Sequence, residues 1–190
     1  MITIYKIKSD YTGHTLTPVD HSVLLVNDSF RLKRMRPGWN KPSFYVHDPV
    51  QTRDTDFYHV RTGTFAFKKS AYESDLGEIL EHCAEILPAI REDTKEEFYI
   101  LNPLACYNCL NTEKAKFRTT PDGKVVVQIF DYVFHPERIG GESVFKIPGT
   151  YLTELYVSSG IVGPSDEFFH AYHEGGYTGL KFEKVWSENK

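Results

Sequence analysis

The sequence predicts an α+β fold with a mainly antiparallel sheet and two principal helices, at about residues 70–85 and 165–174. Short apolar or alternating segments indicate roughly seven to ten strands, and the two helical patterns do not alternate with them. Aromatic residues make up 14% of the chain, which is typical of a β-rich core. A chain of 190 residues is long enough for a substantial core, so we expect a single α+β domain over residues 1–190.

The first quarter of the chain contains three predicted strands. Residues 2–7 nearly alternate between apolar and polar, and residues 11–20 are rich in turn formers. The apolar run at residues 23–26 is interpreted as a strand because it is short and β-branched. Two prolines and a glycine exclude a helix interior at residues 37–42, and residues 44–46 follow as a short strand.

The first principal helix follows a loop over residues 56–63 and a strand at residues 64–67. Ser70 and Glu73 have the spacing of a capping box, and apolar residues then recur every three or four positions. Gly77 weakens this helix by about 1 kcal/mol relative to alanine.

The second half of the chain reads mainly as strands. The turn residues Pro121, Asp122 and Gly123 close a predicted hairpin between residues 115–118 and 124–130. The other predicted strands are at residues 86–90, 98–101, 143–147 and 151–157.

The chain closes with a predicted helix, a turn and a strand. Ser165 is the predicted N-cap, Phe168 and Tyr172 belong to an aromatic face that we expect in the core, and the pair Gly175-Gly176 ends the helix. Alternation over residues 180–186 indicates a half-buried strand.

Charge and composition exclude several classes of protein. A net charge of −4 and a pI near 6.1 disfavour nucleic acid and anionic membranes as partners. The apolar runs are far shorter than the roughly 20 residues of a membrane-spanning helix, and the N-terminus lacks the apolar core of a signal peptide. Three cysteines fit reduced thiols, so we expect a cytoplasmic protein. We expect no cofactor.

Two short motifs have the spacing of metal ligands. Cys106 and Cys109 form a C-x2-C pair, but Cys83 is the only other thiol, which leaves the set one short of a zinc site. His170 and His173 are three residues apart on the last helix and have no obvious third ligand. The cysteines are interpreted as small buried residues and the histidines as partly exposed ones.

A catalytic interpretation centres on Asp131, His135 and Glu137, or on the two histidines of the last helix. No G-x-S-x-G motif, glycine-rich phosphate loop or cysteine nucleophile signature accompanies them. An enzyme of unrecognised type therefore remains an alternative rather than the main hypothesis.

A basic segment in the first quarter is the best candidate for a binding surface. Four cations precede a tryptophan within nine residues, and arginine and tryptophan are common in the centres of protein interfaces. Because the chain is acidic overall, we expect this segment to contact a protein rather than nucleic acid. Its residues are Arg31, Lys33, Arg34, Arg36 and Trp39.

From residue 56 to residue 186 the chain resembles a bacterial family of immunity proteins from polymorphic toxin systems, formerly catalogued as a domain of unknown function. Its last motif, Gly-x-Thr-Gly-Leu-x-Phe-x-x-Val, is the most specific and matches residues 176–185. Asn111 replaces an acid of the family pattern, and residues 159–164 look like an insertion. The other matching segments are Asp56-Phe57, Phe65-Ala66-Phe67, residues 70–80, Ile86-Leu87-Pro88, residues 99–102, Cys109-Leu110-Asn111 and Val157-Ser158.

The resemblance implies a non-enzymatic protein that binds a cognate toxin and neutralises it through a protein–protein interface. Residues 1–55 are then a variable N-terminal part, and residues 56–190 are the family-like part. The matching motifs are architectural, so they identify no catalytic, cofactor-binding or metal-binding residue. A small-ligand binding module that uses a Tyr/Phe-rich surface is a further alternative.

Overall fold

The computed structural model describes residues 1–22 and 30–188. In these residues it confirms an α+β fold with mainly antiparallel pairing. The run at residues 23–26 that was predicted as a strand lies outside the described residues. The helices are α1 (Lys69–Tyr72), α2 (Asp75–Cys83) and α3 (Phe168–Glu174). The strands are β1 (Thr3–Ser9), β2 (Thr15–Pro18), β3 (Ser43–His47), β4 (Phe57–Arg61), β5 (Thr64–Lys68), β6 (Ala84–Arg91), β7 (Glu97–Pro103), β8 (Lys116–Thr119), β9 (Val126–Asp131), β10 (Val144–Phe145), β11 (Leu155–Ser159) and β12 (Leu180–Ser187).

Six strands form a closed barrel in the order β2-β3-β6-β7-β5-β4. Two of its contacts are parallel, at Thr15 opposite His59 and at Ser43 opposite Ile90, and the other four are antiparallel. The sequence predicted a sheet but not its closure. Side chains from all six strands, together with Phe30, fill the interior, as inward-facing residues do in a small barrel. They are Leu16, Phe30, Phe44, Val46, Tyr58, Val60, Ala66, Leu87, Ala89, Phe98 and Ile100.

A second sheet has the order β10-β11-β1-β12. On one face Tyr5 stacks on Phe169 of α3, with ring centroids 4.2 Å apart. Ile4 points to the opposite face, because successive residues of a strand alternate, and there it belongs to a core cluster that includes Ile129 of the β8–β9 hairpin. The first 55 residues thus supply β1 to this sheet and β2 and β3 to the barrel.

Two strands were missed by the sequence interpretation. Residues 11–20 were interpreted as turns but contain β2, and residues 56–63 were interpreted as a loop but contain β4. β2 has only four residues and pairs with β3 and β4 further along the chain, so local alternation is a weak signal for it. β4 pairs with β5 directly after it, but Phe57, Tyr58 and Val60 are all buried, so its sequence does not alternate strictly.

The helix predicted at residues 70–85 is interrupted and shorter. α1 ends at Tyr72, α2 begins at Asp75, and β6 already starts at Ala84. The capping box is not formed, since the cap of α1 is Lys68 and no side chain bonds there. The hydroxyl of Ser74 instead donates to the carbonyl of Ala71 over 2.8 Å and stabilises the break.

Gly77 allows the two short helices to pack closely. A Cβ atom at this position would lie 1.9 Å from the Tyr72 carbonyl oxygen. Helix propensity alone favours alanine here by about 1 kcal/mol. We expect the clash to outweigh propensity, so that Gly77→Ala lowers the free energy of unfolding by about 1–3 kcal/mol. Urea denaturation measures the change, and Glu78→Ala on the exposed side of the helix is the control. A more stable Gly77→Ala variant would contradict the close contact.

The closing unit is confirmed except at the start of its helix. Ser165 is not the N-cap, because residues Pro164–Asp166 form a 3-10 turn and Glu167 caps α3. Phe168 and Tyr172 are buried as predicted, and both rings contact Phe57 of the barrel. The helix ends at Glu174, before the two glycines.

Candidate protein-binding site

The basic segment is attached to one end of the barrel by a buried carboxylate and a buried amide. Glu85 and Asn102 are directly opposite each other in the β6–β7 pair. The Glu85 carboxylate accepts the backbone N–H of Met35 and the side-chain amide of Asn102, each over 2.8 Å. The same Asn102 amide donates to the carbonyl oxygen of Lys33 over 2.8 Å. Buried polar groups of this kind hold a loop in one conformation because leaving them unpaired is costly.

Two aromatic residues complete the attachment of the segment. Phe30 is 1% exposed and inserts into the barrel interior. Its carbonyl oxygen accepts a hydrogen bond from the ammonium group of Lys146, which also donates to the Leu152 carbonyl over 2.9 Å. The indole N–H of Trp39 donates to the carbonyl of Pro88 over 2.7 Å, and the ring packs against the barrel cluster. Trp39 is therefore fixed in orientation.

These attachments maintain a strained backbone. Phe30 and Leu32 have φ angles of 60° and 63°, in the left-handed region that residues other than glycine rarely adopt. Such strain persists only where the surrounding structure over-determines the conformation. The polar contacts of Glu85, Asn102 and Lys146 provide that constraint.

The segment forms the wall of a groove of about 570 Å³. Lys33 and Arg34 supply two exposed cations, and Met35 and Trp39 supply partly buried apolar surface. Further lining residues are Val19, Asp20, Ser22, Pro37, Gly38, Asn40, Pro42 and Ser43.

The cations of this segment have few acidic neighbours. In the part of the chain that the structure describes, Arg34 pairs with Glu85 over 3.9 Å, and no ion pair involves Lys33 or Arg36. Because Arg34 is largely exposed, that pair contributes little. The structure thus brings Lys33, Arg34 and Trp39 together at the groove, with Arg36 exposed next to it in the chain.

Arg31 lies apart from the other predicted residues. It is partly buried and close enough to Arg61 and Lys146 to act on both electrostatically. Burial lowers the pKa of Lys146 to about 8, and the positive charges of Arg61 and Arg31 act in the same direction. The burial of Lys146 was not predictable from the sequence, because a lysine in a predicted short strand is normally exposed.

The two histidines of α3 have separate contacts. His170 Nε2 lies 2.9 Å from the Ser159 hydroxyl and 3.3 Å from Glu167 Oε2. A catalytic triad uses one ring nitrogen for the nucleophile and the other for the acid, whereas here the same nitrogen meets both. His173 Nδ1 instead bonds the Phe169 carbonyl over 2.7 Å.

The other catalytic hypothesis concerns Asp131, His135 and Glu137, and the contacts do not join all three residues. Asp131 pairs with Lys116 at 3.5 Å, and His135 pairs with Glu137 at 3.1 Å. Within the described ranges no hydrogen bond or ion pair joins Asp131 to His135.

The C-x2-C pair combines a buried thiol, Cys109, with a partly buried one, Cys106, so the prediction of small buried residues is confirmed for Cys109 alone. Cys109 is fully buried, which raises the pKa of its thiol to about 12, and burial also raises the pKa of the Cys106 thiol. Both are protonated at neutral pH, whereas metal ligands and nucleophiles are thiolates. Among residues 1–22 and 30–188, no three His, Cys, Asp or Glu side chains are grouped as metal ligands would be.

A second cavity, of about 340 Å³, lies at the other end of the β6–β7 pair. Its charged groups neutralise one another: Asp54 pairs with Lys68 at 2.9 Å, accepts the Tyr58 hydroxyl over 3.0 Å and lies 3.8 Å from Arg91. We interpret this network as a link between the loop before β4 and the β6–β7 turn.

Comparison of the sequence with protein-family models and with curated proteins found no relative. The chain matches no protein-family model, and no curated protein is significantly similar to it. In the described ranges, the helices are too short or too polar to cross a bilayer.

Proposed function

We propose that this protein is an immunity protein that binds and neutralises a cognate toxin, and that the groove beside Lys33, Arg34 and Trp39 is the surface that meets the toxin. The groove supports the proposal because it combines the apolar side chains of Met35 and Trp39 with cations that, among residues 1–22 and 30–188, form only the one weak ion pair of Arg34. Interfaces of high affinity centre on such preorganised aromatic and arginine residues.

The charge of the groove suggests the chemistry of the partner surface. Lys33, Arg34 and Arg36 lie within four residues on a chain of net charge −4, so the local charge differs in sign from the average. An acidic segment of the toxin that also carries an apolar side chain could pair with the cations and pack against Met35 and Trp39. Opposite charges would also speed association.

The test is a search for a large toxin-like reading frame next to this gene and co-expression of the two. We expect the wild-type protein to restore growth and to co-purify with the toxin domain. The double variant Lys33→Glu/Arg36→Glu should bind the toxin more weakly and raise the dissociation constant by about ten- to a hundredfold. Titration calorimetry at low and at moderate salt measures this change.

A variant of equal charge is the control. Lys114→Glu/Lys181→Glu reverses two exposed cations that lie outside the groove. It should change the dissociation constant by less than about twofold if position matters more than net charge. Equal losses in the two double variants would exclude the groove as the interface, and failure of the wild type to bind would exclude the immunity function.

Ligand binding is the second candidate, on one observation. A volume of about 570 Å³ is within the range of small-molecule sites. If the protein lacks a toxin partner, a metabolite screen by thermal unfolding tests this function. A metabolite that raises the unfolding temperature of the wild type but not of Trp39→Ala would favour it.

A further inference from the structure

The β8–β9 hairpin presents two apolar side chains at irregularities in its pairing. Lys116 and Phe117 are opposite Asp131 and Ile129, which leaves Phe130 as an extra residue. The same irregularity between Arg118 and Thr119 leaves Val127 extra. Bulges of this kind redirect a side chain and interrupt strand pairing at an edge. Phe130 and Val127 are 61% and 50% exposed, so both bulges direct large apolar side chains to solvent.

The neighbouring loop presents a third apolar side chain. Tyr151 and Leu152 have φ angles of 53° and 57°, and Tyr151 is 51% exposed. The loop is held by hydrogen bonds from Lys146 to the Leu152 carbonyl, over 2.9 Å, and from the hydroxyl of Thr150 to the Ile147 carbonyl, over 2.9 Å. Strained backbone that is held in place by its surroundings is found mainly at functional sites, so this loop is a candidate for a functional surface and not only a connection between strands.

Between β9 and this loop is a notch of about 90 Å³, lined in part by Val127 and Tyr151. That volume is well below the roughly 300–1,000 Å³ of small-molecule sites, so the notch suits one side chain rather than a small-molecule ligand. Phe130 protrudes from the same strand three residues away, which is about 10 Å along a β-strand. One surface therefore carries both a protruding side chain and a recess of side-chain size.

We propose that this surface, formed by Val127, Phe130 and Tyr151, is a twofold dimer interface with a second copy of this chain. In a twofold interface each residue that contacts a site on the partner is matched by the reverse contact. Phe130 of each copy can thus enter the notch of the other, with the axis between them.

The charges around the surface fit a copy of itself better than a charged partner. Most of the nearby ions form pairs within the chain, Lys6 with Glu154, Lys8 with Glu183, and Lys116 with Asp131. Among the described residues around this surface, Lys184 has no ion pair and leaves a single surplus cation. A face whose charges are nearly balanced internally can meet its own copy with little like-charge repulsion, which the basic groove cannot. The bulges disfavour pairing through the strand edge, so we expect contact through side chains.

Sedimentation velocity of the purified full chain, from about 1 to 300 μM, tests the proposal. The wild type should form dimers with increasing concentration. Phe130→Glu should raise the dimer dissociation constant by at least about tenfold, and Tyr151→Ala should also raise it. Circular dichroism checks that each variant is folded.

Val50→Glu is the matched control, because Val50 is 96% exposed and outside this surface. It should dimerise like the wild type. A wild type that is monomeric over the whole range, or a dimer unaffected by Phe130→Glu, overturns the proposal. Toxin binding does not enter this measurement, so the result is independent of the proposed function.

Discussion

Replacing Glu167 by alanine is expected to lower the free energy of unfolding by about 3 kcal/mol. The Glu167 carboxylate is fully buried and accepts three backbone N–H groups, from Gly160, Ile161 and Val162, over 2.7, 2.8 and 3.1 Å. Hydrogen bonds to a charged group contribute about 1.5–3 kcal/mol each and are not additive. Alanine removes the acceptor for all three and leaves a void beside α3.

Two variants separate this role from a general effect of charge. Glu167→Gln keeps one carbonyl acceptor and the side-chain volume, so it should cost less than Glu167→Ala. Asp166→Ala removes an exposed carboxylate one residue away and should change stability by less than about 0.5 kcal/mol. Chemical denaturation of the three variants and the wild type gives the order, and equal stability of Glu167→Ala and wild type would refute the role of the carboxylate. The residues that resemble an insertion before α3 are thus closed into a loop by this carboxylate.

The second large effect concerns pH and Lys146. Its pKa is lowered from 10.5 to about 8 in the folded protein. Between these two pH values the unfolded chain binds more protons at Lys146 than the folded chain does. The contribution of Lys146 to the free energy of unfolding therefore rises as the pH increases. The whole shift corresponds to about 3 kcal/mol, of which we expect about 2 kcal/mol between pH 8 and pH 10.

Other groups act in the opposite direction, so the effect must be measured as a difference. The raised pKa values of Cys109 and Tyr172, both about 12, make the unfolded chain lose protons first and lower stability at high pH. Subtracting the stability of Lys146→Met cancels these contributions. The difference between wild type and variant should rise with pH from 8 to 10, with Lys146→Gln as a second variant. A constant difference would show that Lys146 titrates normally.

Sequence patterns predicted the elements whose signal is local. Alternation located β1 and β12, and the turn at Pro121, Asp122 and Gly123 located the β8–β9 hairpin. Barrel closure was not predictable because it depends on pairs such as Thr15 with His59, which local alternation does not identify.

The candidate groove was predicted in part. Composition identified Lys33, Arg34 and Trp39, because basic residues next to tryptophan are unusual in an acidic chain. The groups that position them, Glu85 and Asn102, gave no signal, because Glu85 was assigned to the helix at residues 70–85 and Asn102 lay just after the strand at residues 98–101. The capping box at Ser70 failed because the helix begins one residue earlier, at Lys69, so Ser70 lies inside the helix and not at its N-cap.

The way in which the basic segment is attached has a consequence for how specificity can change. Lys33 is held through its carbonyl oxygen and Met35 through its N–H, so both contacts use the backbone. The side chains of Lys33, Arg34 and Arg36 can therefore be exchanged without loss of the contacts that shape the loop. Recognition and conformation are separable here, and a new partner could be accommodated by surface substitutions while the barrel stays unchanged.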